Sequence, residues 1–282
     1  MKKIEKLSFD EERALYGERD IYLRDCSFDG PADGESAFKE GGDIETENCY
    51  FNLRYPFWHC DGVKIIDSEM TGNCRAALWY STDIDIKNSK LHGIKAVREC
   101  DRVNIEGCDV ISPEFGWFSS DITVRDSSFT AEYFMLKASN LDFLKVSFTG
   151  KYSFQYIENS VFEKCNFNTK DAFWHAKNVT VRNSVVAGEY LAWYSENLTL
   201  ENCTIIGTQP FCYCKNLKLI NCTMKNCDLS FEKSSVEATV TGHVDSIKNP
   251  ESGYIFAESI GEIIYDTPEK KCEIKSLSVC NN

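Results

Sequence analysis

The stretch Asn197 to Ile205 reads NLTLENCTI, and the same nine-residue phrase returns, slightly altered, along most of the 282-residue chain. Aligned on their first apolar residue, the copies begin at Ile21, Ile44, Val63, Ile84, Val103, Ile122, Leu141, Ser160, Val179, Leu198, Leu217 and Val236. From Val103 onward every step is nineteen positions, a period that marks a repeat architecture. A second apolar residue follows two positions after the first (Ile86, Ile105, Val124, Phe143, Val181, Leu200, Leu219), the spacing of a strand with one buried face. Then comes an Asn or Asp (Asn48, Asp67, Asn88, Asp126, Asn183, Asn202, Asn221), whose short side chain tolerates a bend. A small residue follows at once, and a large apolar one two further on, such as Phe28, Phe51, Leu91, Phe129, Phe148, Phe167 or Ile205. The pattern is strand, corner, strand.

A unit of this length cannot bury its apolar face alone, so identical units must stack, each coil lying roughly 4.8 Å from the next in parallel register. Twelve steps give a rod about 55 Å long. Leucine-rich repeats are longer and place Asn three residues after the second Leu, where here it is two. Left-handed hexapeptide helices need a period divisible by six. The sequence therefore predicts an all-β chain folded as a single-stranded right-handed parallel β-helix, a β-solenoid of about 12 coils of roughly nineteen residues. Residues 1–20 are expected as an N-terminal cap, 21–248 as the repeats and 249–282 as a C-terminal cap and tail, one domain overall. Ser8 to Gly17 reads either as a short helix, with Ser8 and Glu11 in capping-box spacing, or as a first irregular coil. The turn from Phe28 to Phe38, with Gly30, Pro31 and Gly34, is four residues longer than its equivalents; such insertions are either plain or sit at a binding face.

The phrases YGERDIYL (Tyr16 to Leu23), FDGPADGESA (Phe28 to Ala37), NLRYPFWH (Asn52 to His59) and CRAALWYS (Cys74 to Ser81) resemble a bacterial family known only as domain of unknown function 3737. The likeness runs to about Ile264. It implies a pectate-lyase-like right-handed β-helix and brings no catalytic residues with it. The Gly-His-Gly and Arg-x-Lys signatures of pectin-degrading β-helices do not occur here; Leu91-His92-Gly93 and Gly242-His243-Val244 are imperfect versions.

A formal net charge of −13 repels phosphate backbones and anionic lipid, which excludes nucleic acid and membrane surfaces from the expected partners. Residues 1–10 lack the apolar core of a signal peptide, and no apolar run reaches the length of a membrane span; the expected location is the cytoplasm. With 43% hydrophobic residues the chain can fill an extended core. Of 14 cysteines, Cys26, Cys49, Cys108, Cys165, Cys203 and Cys222 alternate with serine in the small column after the Asn or Asp. Cys60, Cys100 and Cys214 share another with Ser81, Ala138, Ala176 and Ser195. They read as small buried hydrophobes and as reduced thiols. Cys212, Cys214, Cys222 and Cys227 come close in sequence, but their spacing matches no zinc module. Neither metal nor cofactor is expected.

Counting back five residues from the repeat starts gives Trp58, Trp79, Trp117, Trp174 and Trp193, so all five tryptophans share one column, with Arg98 and Gln155 among them. The column before it (Phe38, Phe57, Leu78, Val97, Met135, Phe154, Phe173, Phe211) carries no charge and is expected to point inward, the tryptophans outward. The column after it holds Glu40, His59, Tyr80, Glu99, Phe118, Lys137, Tyr156, His175, Tyr194, Tyr213 and Glu232. Arg54, Arg75, Glu132, Lys151, Lys170 and Glu189 form a fourth column, in which the order Glu132, Lys151, Lys170, Glu189 reads as a cross-strand charge ladder.

Two readings of this flank follow. In the first it binds or modifies an oligosaccharide or sugar derivative, with Arg54, Trp58, Arg75, Trp79, Arg98, Trp117, Trp174, His175, Trp193 and Tyr194 as contacts. His59, Tyr80 and Glu99, on three successive coils, are then the catalytic candidates: His59 as acid or base, Glu99 as its partner, Arg75 and Arg98 as a carboxylate or phosphate clamp. Arg98 reads equally as a salt-bridge partner of Glu114. His59 and His175 are six coils or roughly 29 Å apart, too far to share a metal. Glu40 and Glu99, about 14 Å apart by the same rise, are wider than a glycosidase pair. In the second reading the aromatics stack on one another, and the chain is a noncatalytic scaffold for a protein partner or for itself as a homo-oligomer.

Overall fold

The computed structural model describes residues 1–30, 35–268 and 271–276. Among the described residues the regular structure is all strand, with no helix, and the strands pair in parallel. The fold is a parallel β-solenoid of about 14 turns at roughly 19-residue spacing. The backbone divides into two compact units, Met1–Ser147 and Phe148–Asn282.

In the first unit a long face is built from strands such as Arg19–Arg24, Gly42–Glu47, Asp61–Ile66 and Thr82–Lys87. Their register places Ile21, Ile44, Val63, Ile84, Val103, Ile122 and Leu141 one above another, the column read from the repeat. A short face follows each corner, with Tyr50–Phe51, Glu69–Met70 and Lys90–Leu91 in register. Residues 1–20 already form a coil: Lys2–Glu5 pairs with the strand that follows it, Ile4 against Leu23. Ser8–Phe9 pairs with Ser27–Phe28, so the segment from Ser8 is an irregular first coil and no helix. Its single inward isoleucine, among Lys2, Lys3 and Glu5, is too thin a pattern to show the repeat. Of the long turn after Phe28, Pro31 to Gly34 lie outside the described residues.

In the second unit the long face runs through Glu158–Glu163, Lys177–Arg182 and Glu196–Glu201. It continues past the expected end of the repeats. Ser235–Lys248 pairs with Ser252–Ile264, Val236 opposite Gly253, and that strand pairs with Lys271–Ser276. The step from Val236 to Gly253 is two positions shorter than the repeat, and its apolar start is replaced by Gly253 and Cys272, which hides the last coils. Of the expected tail, residues 269–270 and 277–282 lie outside the described residues.

The corners are single residues in the left-handed region. Asn48, Asp67, Asn88 and Asp126 have φ of 50°, 48°, 48° and 47°, where Asn and Asp are the side chains best tolerated after glycine. A second corner in the second unit carries an asparagine ladder: Asn178 Nδ2 donates to Asn159 Oδ1 at 3.0 Å, Asn197 to Asn178 at 2.9 Å and Asn216 to Asn197 at 3.1 Å. Stacked phenylalanines fill the interior. Phe38 and Phe57 lie 4.8 Å apart at 10° in the first unit, and Phe154 and Phe173 lie 4.9 Å apart at 13° in the second; all four are buried.

The small columns beside the corners are buried and use serine and cysteine interchangeably. Cys49 N donates to Ser68 Oγ at 3.0 Å, and Ser68 N to Ser89 Oγ at 3.0 Å. Cys thiols there reach carbonyls of the preceding coil, as Cys60 does to Phe38 at 3.0 Å. Burial pushes the Cys60 and Cys100 thiols up to about 12 and the Cys49 and Cys214 thiols up to about 11. Thiolate is the reactive form, so these cysteines are expected to resist Ellman's reagent in the folded protein and to react at once in guanidinium. Rapid labelling of Cys60 or Cys100 under native conditions, located by mass spectrometry, would contradict this packing.

Candidate functional site

In the first unit the third side of the coil carries the aromatic column. Leu78–Trp79 pairs with Val97–Arg98, and Arg98 bridges to Trp117. Because Phe57, Leu78 and Val97 are fully buried, the alternation of the strand turns Trp58, Trp79, Arg98 and Trp117 outward, and all four are half-buried. Their faces are covered by one another. Lys39 Nζ sits 4.2 Å from the Trp58 ring centre, Trp58 and Trp79 stack at 6.1 Å and 17°, and the Arg98 guanidinium lies 5.6 Å from Trp79 and 5.3 Å from Trp117. The result is a ladder of indoles and cations along the coil stack, held by dispersion and cation–π attraction.

The next column is the third corner, and its residues are left-handed despite their size: His59 (φ 57°), Tyr80 (56°), Glu99 (50°) and Phe118 (55°). Glu99 is held from several directions. Its Oε1 accepts from Arg98 Nε at 3.3 Å and from Trp79 Nε1 at 3.4 Å, and the same carboxylate beside the Tyr80 hydroxyl raises the Tyr80 pKa. His59 meets the edge of Tyr80 at 5.0 Å and of Trp58 at 5.8 Å between ring centres. Thus the structure brings Tyr80 and Glu99 together but leaves His59 two coils from Glu99, about 9.6 Å of rise, with no hydrogen bond between them among the described residues. An acid–base pair works within about 3 Å or through one water. Arg98 pairs with Glu99 and not with Glu114, which pairs with Lys95 at 3.3 Å. Arg54 is ion-paired to Glu35, and Arg75 is exposed.

In the second unit Trp174 and Trp193 stack at 5.5 Å and 5°. Their indole N–H groups donate to carbonyls of the following coil, Trp174 to Tyr190 at 2.7 Å and Trp193 to Gln209 at 2.8 Å. Gln155 makes the same bond to Asp171 at 3.1 Å. Outside them Tyr156, His175, Tyr194 and Tyr213 form one continuous stack, with centroid spacings of 4.7, 5.0 and 4.8 Å and tilts of 8°, 8° and 10°. The stack ends on Lys233, 5.7 Å from Tyr213. Glu232, expected in this column, falls one place earlier: Tyr213 N donates to Glu232 O, because the coil after Tyr213 holds one extra residue. Lys170 and Glu189 pair at 2.9 Å, as a charge ladder requires.

Among the described residues no three His, Cys, Asp or Glu side chains gather in metal-binding geometry. Cys214, Cys222 and Cys227 each donate instead to a carbonyl of the preceding coil, at 3.1, 3.3 and 3.6 Å. Two grooves lie away from the predicted site residues. One of about 450 Å³ in the second unit is lined by Asn197, Asn216, Lys218 and Glu237, and one of about 330 Å³ in the first by Asp83, Asp85, Arg102 and Asp121; neither is lined by a predicted site residue. The bond from the indole N–H to the next coil was not anticipated from sequence. Its signal is the glutamine at position 155, which can replace tryptophan in that column only as a donor.

Residues 2–277 match the family described as Protein of unknown function (DUF3737). The chain belongs to this family. None of the curated proteins matches the DUF3737 chain in sequence. Among solved structures it is similar to PfbA, a surface adhesin of Streptococcus pneumoniae, at 10% identity over 95% of this chain and 83% of that one, with a TM-score of 0.27. It is also similar to the catalytic domain of a GH87 α-1,3-glucanase in complex with tetrasaccharides, at 9% identity over 92% of this chain and 54% of that one, with a TM-score of 0.25. QnrB1, a plasmid-mediated fluoroquinolone resistance protein, follows at 13% identity, 79% and 90% coverage and a TM-score of 0.21. Likenesses at this level bear on neither activity nor ligand.

Proposed function

We propose that this DUF3737 protein is a noncatalytic β-solenoid scaffold whose aromatic flank takes a protein partner or a second copy of the chain. The observation that carries this reading is the occupancy of the ring faces. A pyranose stacks on an open aromatic face, whereas the Trp58, Trp79 and Trp193 faces meet neighbouring rings or cations of the same protein. What remains for a visitor is an array of ring edges and hydroxyls. Tyr80 and Phe118 in the first unit, and Tyr194 in the second, are 42%, 44% and 45% exposed, and such rigid amphipathic side chains are enriched at protein interfaces. The anchoring of Glu99 and the separation of His59 from it speak against acid–base chemistry at the candidate triad.

The rival reading, an oligosaccharide laid along the flank, is tested in the same experiment. Tryptophan emission is expected to stay unchanged across a panel of neutral and charged oligosaccharides, while light scattering finds a stable oligomer. Trp193→Phe is expected to lose about 1 kcal/mol of stability, the worth of one hydrogen bond, with no loss of the oligomer. A saturable emission shift with any sugar, abolished by Trp193→Phe, would reinstate the carbohydrate reading.

A further inference from the structure

The indole N–H of Trp58 is the one buried side-chain polar atom with no hydrogen-bond partner among the described residues. Trp79 donates to Glu99 Oε1 at 3.4 Å, and the other three tryptophans of the column satisfy the donor in one fixed way. Trp117, Trp174 and Trp193 reach the carbonyls of Tyr133, Tyr190 and Gln209, each three residues before the column position of the following coil. For Trp58 the corresponding carbonyl is that of Ala76, three before Trp79, and this bond is not made. The step from Trp58 to Trp79 is two positions longer than that from Trp174 to Trp193, so the coil that should supply the acceptor carries two extra residues. A buried donor left in this state costs free energy unless something else accepts from it.

Arg75 adjoins that place. It precedes Ala76, its carbonyl accepts from Tyr55 N at 2.9 Å, and the Tyr55 ring lies 5.7 Å from Trp58. Arg54 holds the same position one coil earlier and is ion-paired to Glu35. Lys39, over the Trp58 ring, has Glu40 at 3.9 Å. Arg75 is exposed and has no ion pair among the described residues. Two arginines thus occupy adjacent rungs of a parallel ladder, where like charges repel, in a chain whose net charge is −13.

We infer that Arg75, Arg54 and the Trp58 N–H form a binding site for an oxyanion, a carboxylate or phosphate group that lies between the guanidiniums and accepts the indole proton. Guanidinium forks match the geometry of both groups and gain from the added charge. The site stands independently of the scaffold reading, since it needs no free ring face and no partner protein.

The test titrates the full chain with malonate and, separately, with inorganic phosphate, against sodium chloride of equal ionic strength, reading the thermal unfolding midpoint. A saturable rise with an oxyanion and none with chloride is expected, and whichever anion saturates at the lower concentration names the group. Arg75→Gln, at an exposed position, and Trp58→Phe, which keeps a ring but removes the donor, are each expected to weaken the anion about tenfold. Arg125→Gln, which removes a guanidinium ion-paired to Asp142 at 2.8 Å, should leave the titration unchanged. An equal response to chloride, or wild-type titrations in both Arg75→Gln and Trp58→Phe, overturns the site.

Discussion

Raising the pH above 9 is expected to strip the first unit of stability at roughly 5 kcal/mol per pH unit. Burial lifts five thiols in that unit from the usual 9.0: Cys108 upward, and, of the four largest shifts, Cys49 and Cys74 to about 11 and Cys60 and Cys100 to about 12. Below the unfolded value both states hold these protons, and the stability is fully present. Between that value and about 11 the unfolded chain releases protons that the folded chain retains, so stability falls as pH rises. Each thiol contributes about 1.4 kcal/mol per pH unit. Against a domain stability of about 5–15 kcal/mol, four of them acting together unfold the unit within one to three pH units. Urea denaturation under reducing conditions, repeated across this range, measures the slope. Cys100→Ser removes one titrating group at a position where Ser81 and Ser119 already serve in the same column, and should flatten the slope by about 1.4 kcal/mol per pH unit. A stability profile that stays level from neutral pH to well above 9 would mean that water reaches these columns.

The columns were legible because they depend only on the count of residues. Ile84 over Val63 and Val103, Phe57 buried beneath Trp58, and the outward turn of Trp58 and Trp79 in the first unit follow from a period and from the alternation of a strand. The corners at Asn48 and Asp67 were readable because their side chains favour the left-handed region. The corner at His59 and Tyr80 was not, since aromatic residues avoid it and here meet edge-on across neighbouring coils. What the aromatic flank can do turned on facts of another kind. Arg98 was visible in the tryptophan column, but its position between Trp79 and Trp117, closing both faces, depends on where a long side chain lies. The unpartnered Trp58 donor depends on a two-residue difference in coil length. Lys233 in place of Glu232 at the end of the tyrosine stack follows from a single extra residue. Counting from a fixed period cannot register such local insertions, and they decide which groups meet.

Replacing Phe173 by alanine is expected to destabilise the second unit by about 3–5 kcal/mol. The ring is buried, stacks on Phe154 at 4.9 Å and meets Phe162 at 5.5 Å and Phe167 at 6.4 Å. The backbone around it cannot close on the space left behind, because Phe173 N donates to Ser153 at 3.0 Å and its carbonyl accepts from Ala176 at 3.1 Å. Collapse would require the coils to leave the register that pairs Glu158–Glu163 with Lys177–Arg182. The left-handed backbone at this residue, φ 59°, adds a second expectation. Glycine carries no penalty there, whereas alanine retains one of roughly 1 kcal/mol, so Phe173→Gly should be no less stable than Phe173→Ala, against the usual order of these two residues. Because each coil of a solenoid contacts only its neighbours, the loss should first appear near the lesion. Emission from the adjacent Trp174 and from Trp193 is expected to change at lower urea than the far-ultraviolet signal of the whole chain. A loss below about 1.5 kcal/mol, of the size seen for volume-conserving swaps, would show that the phenylalanine stack is filled loosely and that the hydrogen-bonded ladder, not side-chain packing, sets the spacing of the coils.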